Sequence, residues 1–348
     1  RCAIVTGVQT CALPIYPEYK RITENKNNLD DESLLYPPLG LMKLIRFHKD
    51  RGDKVKFVRG CDKSIYSDLF NEEPIFWHRI YITTLFTYNF KNTVKTINFY
   101  KDAVGKTKKR IFIGGIMATL MANEIYNETG IYPHEGLIES AEQIGLKDST
   151  IIDELAPDYS EIDHTKYAIN DTFYSYTTRG CTNNCPWCGV PKIEPIYKDY
   201  INIKPIILKL RNEYGDKSKL KLMDNNVLAS KHIDIIINDL IELGYKKGDR
   251  TGQTPSKSRI VDFNQGLDSS FFNEDIIKKL SILNVRPMRI AFDRLSEKDQ
   301  YLKAIKLSEK YGFYDFSNYM LYNFQDTPRD LYERLKINIQ INEDAINS

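Results

Sequence analysis

The sequence predicts an α/β protein with two domains, each built on a parallel β-sheet, and two observations support this prediction. The chain of 348 residues is too long for one ordinary core and suits two domains of roughly 150 residues each. Apolar strand-like runs also alternate with helical runs across short breaks, which is typical of parallel sheets covered by helices.

The composition argues against several classes of protein. Hydrophobic residues make up 42% of the chain, enough for a core, and the formal net charge of +2 argues against a protein that coats a polyanion. A solvated helix end explains the basic run at residues 106–110 better than nucleic acid does, so no nucleic-acid partner is expected. Because no apolar run reaches the roughly 18 residues of a membrane span, no membrane partner is expected either.

The six cysteines do not look like a disulfide framework. Three of them stand within residues 181–188, whereas the others are scattered at positions 2, 11 and 61. This clustering suits a reducing cytosol, and we therefore expect a cytoplasmic protein.

Residues 1–15 resemble the translated sequencing adapter found at the ends of incompletely trimmed metagenomic genes. They lack the basic region and the continuous apolar core of a signal peptide. We therefore expect this stretch to take no part in the fold and the natural start to be missing. On this interpretation Cys2 and Cys11 have no function.

The first domain is predicted over residues 16–150. Pro37 and Pro38 break the chain before a helix that begins at about Leu39 and ends at Gly52. The elements expected after it are a strand at 54–58, a strand at 80–86, a helix at about 93–104 and a strand at 110–113, which the Gly114-Gly115 pair ends.

Three short motifs stand out in this domain: Tyr-Pro-Pro-Leu-Gly-Leu at 36–41, Ile-Gly-Gly at 113–115 and His-Glu-Gly at 134–136. In these motifs the domain resembles the Rossmann-like, cobalamin-binding-like domain that often lies N-terminal to a catalytic domain in the same chain. The Asp-x-His-x-x-Gly motif of the cobalt-ligating version is absent from the chain. The resemblance therefore leaves two possibilities open. Either the domain binds cobalamin without a protein ligand on cobalt, or it is a vestigial domain that binds no cobalamin. The first strand of that family falls on the adapter-like residues, so we expect it to be lost.

Residues 151–171 form a predicted acidic linker, and a second domain follows over residues 172–348. Its strand-like runs end near residues 178, 223, 264, 292 and 322, with helical runs at 203–214, 232–243, 273–280 and 296–311 and a last helix from about 327. This spacing suits successive βα units of a barrel. A partial (β/α)6 barrel of the TIM type needs one more strand, so we expect the C-terminus to be truncated as well.

A metal-binding pattern follows the first strand of this second domain. Cys181, Cys185 and Cys188 have the spacing C-x3-C-x2-C, and three thiolates within eight residues indicate a metal site. A cubane iron–sulfur cluster needs one ligand for each iron, and a structural zinc ion also needs four ligands. Three cysteines would therefore leave one iron of a cubane open to a small molecule.

With the aromatic Trp187 before its last cysteine, this motif is similar to that of the radical S-adenosylmethionine superfamily, and the resemblance covers residues 172–348. It implies that the three cysteines bind three irons of a [4Fe–4S] cluster and that S-adenosylmethionine binds the fourth. It implies reductive cleavage to methionine and a 5′-deoxyadenosyl radical, which abstracts hydrogen from a substrate that the sequence does not identify. It also implies an external electron donor such as flavodoxin or ferredoxin, and Trp187 packed over the cluster.

Polar residues follow the later strands, where the functional residues of a parallel barrel gather. The resemblance assigns Asp224 and Asn225 to the amino group of S-adenosylmethionine. It makes Gln265, Asp293 and Arg294 candidates for contacts with the ribose and the carboxylate. A helix N-cap is the alternative role for Asp224 and Asp293. The glycine-rich motif usual after the second strand of the superfamily is absent here.

Other interpretations of the cysteine motif remain open. A non-catalytic zinc-binding interaction protein would need a fourth ligand from elsewhere, such as His164 or Cys61. A thioredoxin-like Cys-Pro-Trp-Cys at residues 185–188 would leave Cys181 unexplained. A third possibility keeps the radical enzyme and makes it a cobalamin-dependent methyltransferase.

Overall fold

A computed structural model of the protein describes residues 11–18, 35–66, 77–104 and 108–347. The chain divides into two units, Arg1–Asn170 with Lys192–Glu194 and Asp171–Pro191 with Pro195–Ser348. Each unit contains parallel strands and helices, which confirms the predicted α/β class. The predicted linker falls within the first unit as far as Asn170.

The first unit is built on a parallel sheet of five strands. Its strands are β1 (Cys11–Tyr16), β2 (Lys54–Val55), β3 (Val58–Arg59), β4 (Arg79–Thr84) and β5 (Ile111–Gly115). Their order is β2-β1-β4-β5, and β3 pairs with β1 beyond the end of β2. Leu13 of β1 stands opposite Ile80 of β4, and Ile82 stands opposite Ile113 of β5.

Helices cover both faces of this sheet. They are α1 (Leu39–Asp50), α2 (Phe90–Val104), α3 (Ile116–Leu120) and α4 (Ala122–Thr129). On one face Leu13 and Ile82 pack in a core with residues of α2, α3 and α4, such as Ile97. On the other face Tyr81 packs with Leu44 of α1. Because successive strand side chains point to opposite faces, a sheet buried on both sides needs near-continuous apolar strands, as here.

The expectation that this sheet lacks its first strand is wrong. β1 lies inside the sheet, between β2 and β4, although residues 11–15 belong to the adapter-like stretch. The physical reason is hydrophobicity, since Ala12, Leu13 and Ile15 are almost completely buried and supply both faces of the sheet. Residues 1–10 lie outside the described part of the chain.

The Gly114-Gly115 pair ends β5, as predicted, and directly precedes α3. Gly115 has a φ of +109°, and a Cβ there would lie 2.2 Å from the carbonyl oxygen of Thr84. Only glycine tolerates this conformation and this close approach of β4. The Thr84 hydroxyl also accepts a hydrogen bond from Ala118 N, 2.8 Å away, which fixes the start of α3 to the end of β4.

The second unit contains five parallel strands in two ladders. They are β6 (Thr172–Ser175), β7 (Lys219–Leu222), β8 (Ile260–Phe263), β9 (Met288–Ala291) and β10 (Phe316–Tyr319). β6, β7 and β8 pair in that order, and β9 pairs with β10. Leu267, just after β8, connects the ladders, since its N–H donates to Arg289 O (2.8 Å) and its carbonyl accepts from Ala291 N (3.3 Å).

Helices follow these strands in regular alternation. They are α5 (Val190–Ile193), whose last two residues belong to the first unit, α6 (Lys204–Tyr214), α7 (Ile233–Glu242), α8 (Glu274–Leu280), α9 (Lys298–Lys310) and α10 (Pro328–Asn347). Each strand ends within three residues of its predicted end. In β6 to β9 the apolar runs that predicted the strands supply residues buried in the sheet, whereas β10 is only half-buried to exposed. Within the described ranges, none of the helices combines the length and the apolar character that a bilayer crossing requires.

Candidate functional site

The cysteine loop, defined here as residues 181–188, lies between β6 and α5. Its base is closed by a pair of main-chain hydrogen bonds, in which Arg179 and Lys198 each donate to the carbonyl of the other, at 2.9 and 3.0 Å. The guanidinium of Arg179 lies 3.6 Å from the ring centroid of Tyr176. Gly180 turns the chain into the loop with a φ of +72°. The point where the cysteine loop leaves the sheet is therefore fixed by both main-chain and side-chain contacts.

The three thiols of the loop differ in exposure, and two of them accept hydrogen bonds from main-chain N–H groups. Cys181 and Cys185 are half-buried and Cys188 is exposed, and all three are free. Asn183 N donates to Cys181 Sγ (3.3 Å), and Val190 N donates to Cys188 Sγ (3.5 Å). Burial raises the pKa of the Cys185 thiol, and the nearby Cys188 and Cys181 raise it further. N–H donors to sulfur stabilise thiolates, the form of cysteine that binds metals.

The fit of a metal to this loop rests on donor chemistry rather than on a preformed cage. Among the described residues, no group of three or more His, Cys, Asp or Glu side chains is arranged to hold a metal ion. His164 and Cys61, the distant ligands considered for a zinc site, belong to the first unit. What the loop does offer is three free thiols within eight residues and main-chain N–H groups directed at two of the sulfurs.

Asp224, at the end of β7, is held to the segment that leads into the cysteine loop. Its Oδ1 accepts hydrogen bonds from the hydroxyls of Thr177 (2.7 Å) and Thr178 (2.8 Å) and from both backbone N–H groups. These bonds exclude the alternative of a helix N-cap. Its Oδ2 is buried without a hydrogen-bond partner. Burial raises the pKa of Asp224, and the hydrogen bonds oppose that shift.

Asn226, two residues further on, was not predicted as a site residue. Its side chain is buried, and its Nδ2 lies 3.6 Å from Cys181 Sγ and 3.5 Å from Asp268 Oδ2. Its Oδ1 is buried without a partner. The Asp-Asn-Asn run at 224–226 was the available signal, but the prediction stopped at its second residue. The end of β7 thus carries two buried oxygens without partners, on Asp224 and Asn226.

Asp268, which follows β8, is a second residue that the prediction missed. Its Oδ2 accepts from Asn183 Nδ2 of the cysteine loop at 2.8 Å. Its Oδ1 accepts from Ser270 N at 2.9 Å, which caps the short 3-10 helix Ser269–Phe271. One carboxylate therefore connects the loop after β6 to the loop after β8.

The two remaining candidates at these strand ends differ in accessibility. Asn225 is half-buried beside Asp224, whereas the side chain of Gln265 is exposed. Gln265 directly precedes Gly266, whose φ of +86° turns the chain after β8. The assignment of these two residues to a cofactor stays a prediction.

Trp187 and Arg294 contact each other. The guanidinium carbon of Arg294 lies 4.4 Å from the centroid of the Trp187 ring, a cation–π arrangement. The indole also contacts Phe324 edge-to-face, with centroids 5.5 Å apart. Arg294 also approaches Glu297, with 3.6 Å between Nε and Oε1. The structure therefore brings the aromatic residue of the cysteine loop against the residue that follows the end of β9.

Asp293 is half-buried and directed along the strand ends. Its Oδ1 accepts from Leu321 N, 3.0 Å away, so it joins the end of β9 to the segment after β10. Burial raises the pKa of its carboxyl group. The next helical turn is capped instead by Glu297, whose Oε2 accepts from the N–H groups of Asp293 and Arg294, each 3.2 Å away. The N-cap alternative is therefore excluded for the side chain of Asp293 too.

Arg334 of α10 is a third residue that the prediction missed, and it is completely buried. It donates to the carbonyl oxygens of Phe292 (2.9 Å), Asp293 (2.8 Å) and Leu321 (2.8 Å), and it forms a 2.7 Å ion pair with Asp326. Arg334 lies three positions after Leu331 on the half-buried side of α10, and this spacing was the available sequence signal. Arg334 holds together the segments that follow β9 and β10.

Comparison with known proteins adds no assignment, because no protein-family model and no curated protein matches the chain. The functional argument therefore depends on the residues described above. The structure joins the cysteine loop to the ends of β7 and β8 through Asn226 and Asp268. It joins the same loop to Arg294, beyond the end of β9, through Trp187.

Proposed function

We propose that the chain is a radical S-adenosylmethionine enzyme that acts on an as yet unidentified substrate. In this proposal the second unit is a partial (β/α)6 barrel of the TIM type, and the first is a Rossmann-like, cobalamin-binding-like domain. The five parallel strands of the second unit, with helices between them, support the barrel. The sheet of the first unit, covered on both faces, supports the Rossmann-like assignment.

One observation carries the proposal: the three-cysteine loop lies beside a strand end with two buried acceptor oxygens that have no partner. Asn226 Nδ2 is 3.6 Å from Cys181 Sγ, while Asn226 Oδ1 and Asp224 Oδ2 are both without a hydrogen bond. A buried acceptor without a partner is unfavourable by about 1–3 kcal/mol. A ligand that brings an ammonium group beside the cysteines would satisfy both oxygens.

In this proposal Cys181, Cys185 and Cys188 hold a [4Fe–4S] cluster, and Asp224 with Asn226 accepts hydrogen bonds from the amino group of S-adenosylmethionine. When bound and reduced, the cluster supplies the electron that cleaves S-adenosylmethionine to methionine and a 5′-deoxyadenosyl radical. The chain itself orients the ligand and excludes water. Thr177 and Thr178 keep Oδ1 of Asp224 occupied, so Oδ2 is the oxygen left for a ligand.

Trp187 and Arg294 would supply the opposite wall of the ligand site. Stacking against the indole restricts the Arg294 guanidinium, which would then present its outer N–H groups to the carboxylate of the ligand. An exposed arginine without such support would lose more side-chain entropy on binding.

The test is reconstitution of the full chain under anaerobic conditions, followed by dithionite and S-adenosylmethionine. We expect about four iron and four sulfide per chain, by cubane stoichiometry, and release of 5′-deoxyadenosine. C185A serves as the variant that should lose both, and C61A as the matched cysteine control that should lose neither. An intact cluster with no 5′-deoxyadenosine contradicts the proposal. Bound zinc without sulfide would support the non-catalytic alternative instead.

A further inference from the structure

We propose that Asn226 and Asp268 are positioning residues for the Cys181 end of the cysteine loop. We also propose that Asn226, through its contact with the Cys181 sulfur, tunes the reduction potential of the cluster that this cysteine would bind. This inference rests on the proposed function for its redox part only. The inference is drawn from a series of side-chain contacts that begins and ends in the cysteine loop. Cys181 contacts Asn226, Asn226 contacts Asp268, and Asp268 accepts a hydrogen bond from Asn183.

The orientation of the Asn226 amide is determined by its neighbours. Both nearby groups, the Cys181 sulfur and Oδ2 of Asp268, are hydrogen-bond acceptors, at 3.6 and 3.5 Å. A flipped amide would place an oxygen against both of them, so the NH₂ group must face this side. The main chain is fixed as well, since Tyr197 Oη donates to Asn226 O at 2.9 Å. Asn226 therefore presents an N–H donor to the sulfur.

Asp268 holds the other side of the chain of contacts. Its Oδ1 is occupied by Ser270, through N–H (2.9 Å) and hydroxyl (2.6 Å), so Oδ2 is left for Asn183 and Asn226. Asn183 in turn donates its backbone N–H to Cys181 Sγ at 3.3 Å. Thus Asp268 fixes the two residues that donate N–H groups to the same sulfur.

Two consequences follow, and they can be measured separately. Loss of the Asp268 acceptor frees Asn183, so amides of the loop should open more often, with or without a metal. Loss of the Asn226 donor leaves the sulfur with less stabilisation of negative charge, which disfavours the reduced cluster, because hydrogen bonds to ligand sulfurs raise the potential.

For the first consequence the variant is D268N in the metal-free full chain, measured by amide hydrogen exchange over the cysteine loop. In this variant the amide oxygen must serve Ser270, so an NH₂ group would face the Asn183 donor. We expect exchange in the loop to rise about five- to tenfold, the effect of losing one hydrogen bond. D171N is the matched control, since Asp171 accepts from Ser218 N and hydroxyl at the opposite end of β6. Equal loop exchange in D268N and D171N overturns the positioning role.

For the second consequence the variant is N226L, reconstituted and titrated by EPR. We expect the reduction equilibrium constant to fall about tenfold, which is about 59 mV for a one-electron couple, at unchanged iron content. A purely structural role would leave the potential of the assembled cluster unchanged, and that result overturns the tuning role. If the wild-type chain binds no iron, the proposed function fails and the redox part falls with it, while the exchange experiment still decides the positioning role.

Discussion

Each unit of the molecule has a titratable residue buried in a polar cluster, His48 in the first and Asp224 in the second, and the two clusters differ in one respect. In the first unit, His48 of α1 lies 2.6 Å from Asp53 Oδ2 through Nδ1 and 2.9 Å from Tyr81 Oη through Nε2. Both ring nitrogens are therefore occupied. In the second unit, Oδ1 of Asp224 accepts four hydrogen bonds, whereas Oδ2 has none.

The comparison separates polar burial that stabilises a fold from polar burial that prepares a site. The carboxylate of Asp53 accepts, so Nδ1 of His48 carries the proton, and the Tyr81 hydroxyl then donates to Nε2. Such a closed cluster favours the folded state. An open acceptor such as Asp224 Oδ2 is unfavourable until a donor arrives, and this arrangement is typical of binding sites.

The largest expected effect tests a second closed cluster, the one around Arg334 in the second unit. R334M removes the buried guanidinium that donates to Phe292, Asp293 and Leu321 and leaves Asp326 without its ion pair. We expect the free energy of unfolding of the second unit to fall by about 3–5 kcal/mol, the usual consequence of breaking a buried ion pair. The measurement is denaturant unfolding, monitored through the hydrogen exchange of the amides in β9 and β10.

The control for that prediction is R329M, an exposed arginine on the same helix, which should change the unfolding free energy by less than about 0.5 kcal/mol. Equal effects of R334M and R329M would show that Arg334 does not hold the strand ends together.

The next effect in size is expected from H48L in the first unit. The variant removes the hydrogen bonds of the imidazole to the Asp53 carboxylate and to the Tyr81 hydroxyl. A hydrogen bond to a charged group contributes about 1.5–3 kcal/mol and one between neutral groups about 0.5–1.5 kcal/mol. We expect a loss of about 3 kcal/mol, measured by hydrogen exchange in β4. Y81F should lose less, about 1 kcal/mol, because it removes a donor and leaves no new charged group without a partner. A loss in H48L no larger than in Y81F would argue against a closed cluster.

The same histidine predicts a pH dependence. Burial lowers the pKa of His48, against the raising effect of Asp53, and Arg79 and Arg51 lower it further. The folded state thus resists protonation, while the unfolded chain protonates below about pH 6.5. The unfolding free energy of the first unit should therefore decline as the pH falls below about 6.5, and H48L should lose this decline. Stability that instead rises on acidification contradicts the account.

The smallest effect on stability is expected from D224N. Since burial raises the pKa of Asp224, the folded state binds more protons than the unfolded state above the ordinary range of an aspartate. Wild-type stability should therefore decline, relative to D224N, as the pH rises from about 4 to 7. At neutral pH we expect D224N to match or exceed the wild type by up to about 1 kcal/mol. A constant difference across this range would contradict a raised pKa.

The sequence predicted those features that depend on local pattern. Apolar runs placed β4 to β10, and the Gly114-Gly115 pair marked the end of β5, where Gly115 has no room for a Cβ. The single strand expected at 54–58 is two short strands, β2 and β3. The adapter-like residues misled the prediction, because an apolar stretch can fill a sheet whatever its origin.

The connections within the candidate site could not be predicted from local pattern. The bonds of Asp224 to Thr177 and Thr178 span 47 and 46 residues, and those of Asp268 to Asn183 span 85. Arg334 reaches carbonyl groups up to 42 residues away. Carbonyl and amide partners of this kind carry no sequence signature, so only the folded chain reveals which oxygen of Asp224 is left open.

The most direct test of the account is the affinity of the reconstituted protein for S-adenosylmethionine in the wild type and in D224N, measured by calorimetry beside their unfolding free energies at pH 7. The account predicts binding at least about tenfold weaker in D224N, with stability equal to or above that of the wild type, since a hydrogen bond to a charged group contributes about 1.5–3 kcal/mol. Unchanged affinity together with a loss of more than about 1 kcal/mol of stability would show that Asp224 serves the fold and not a ligand.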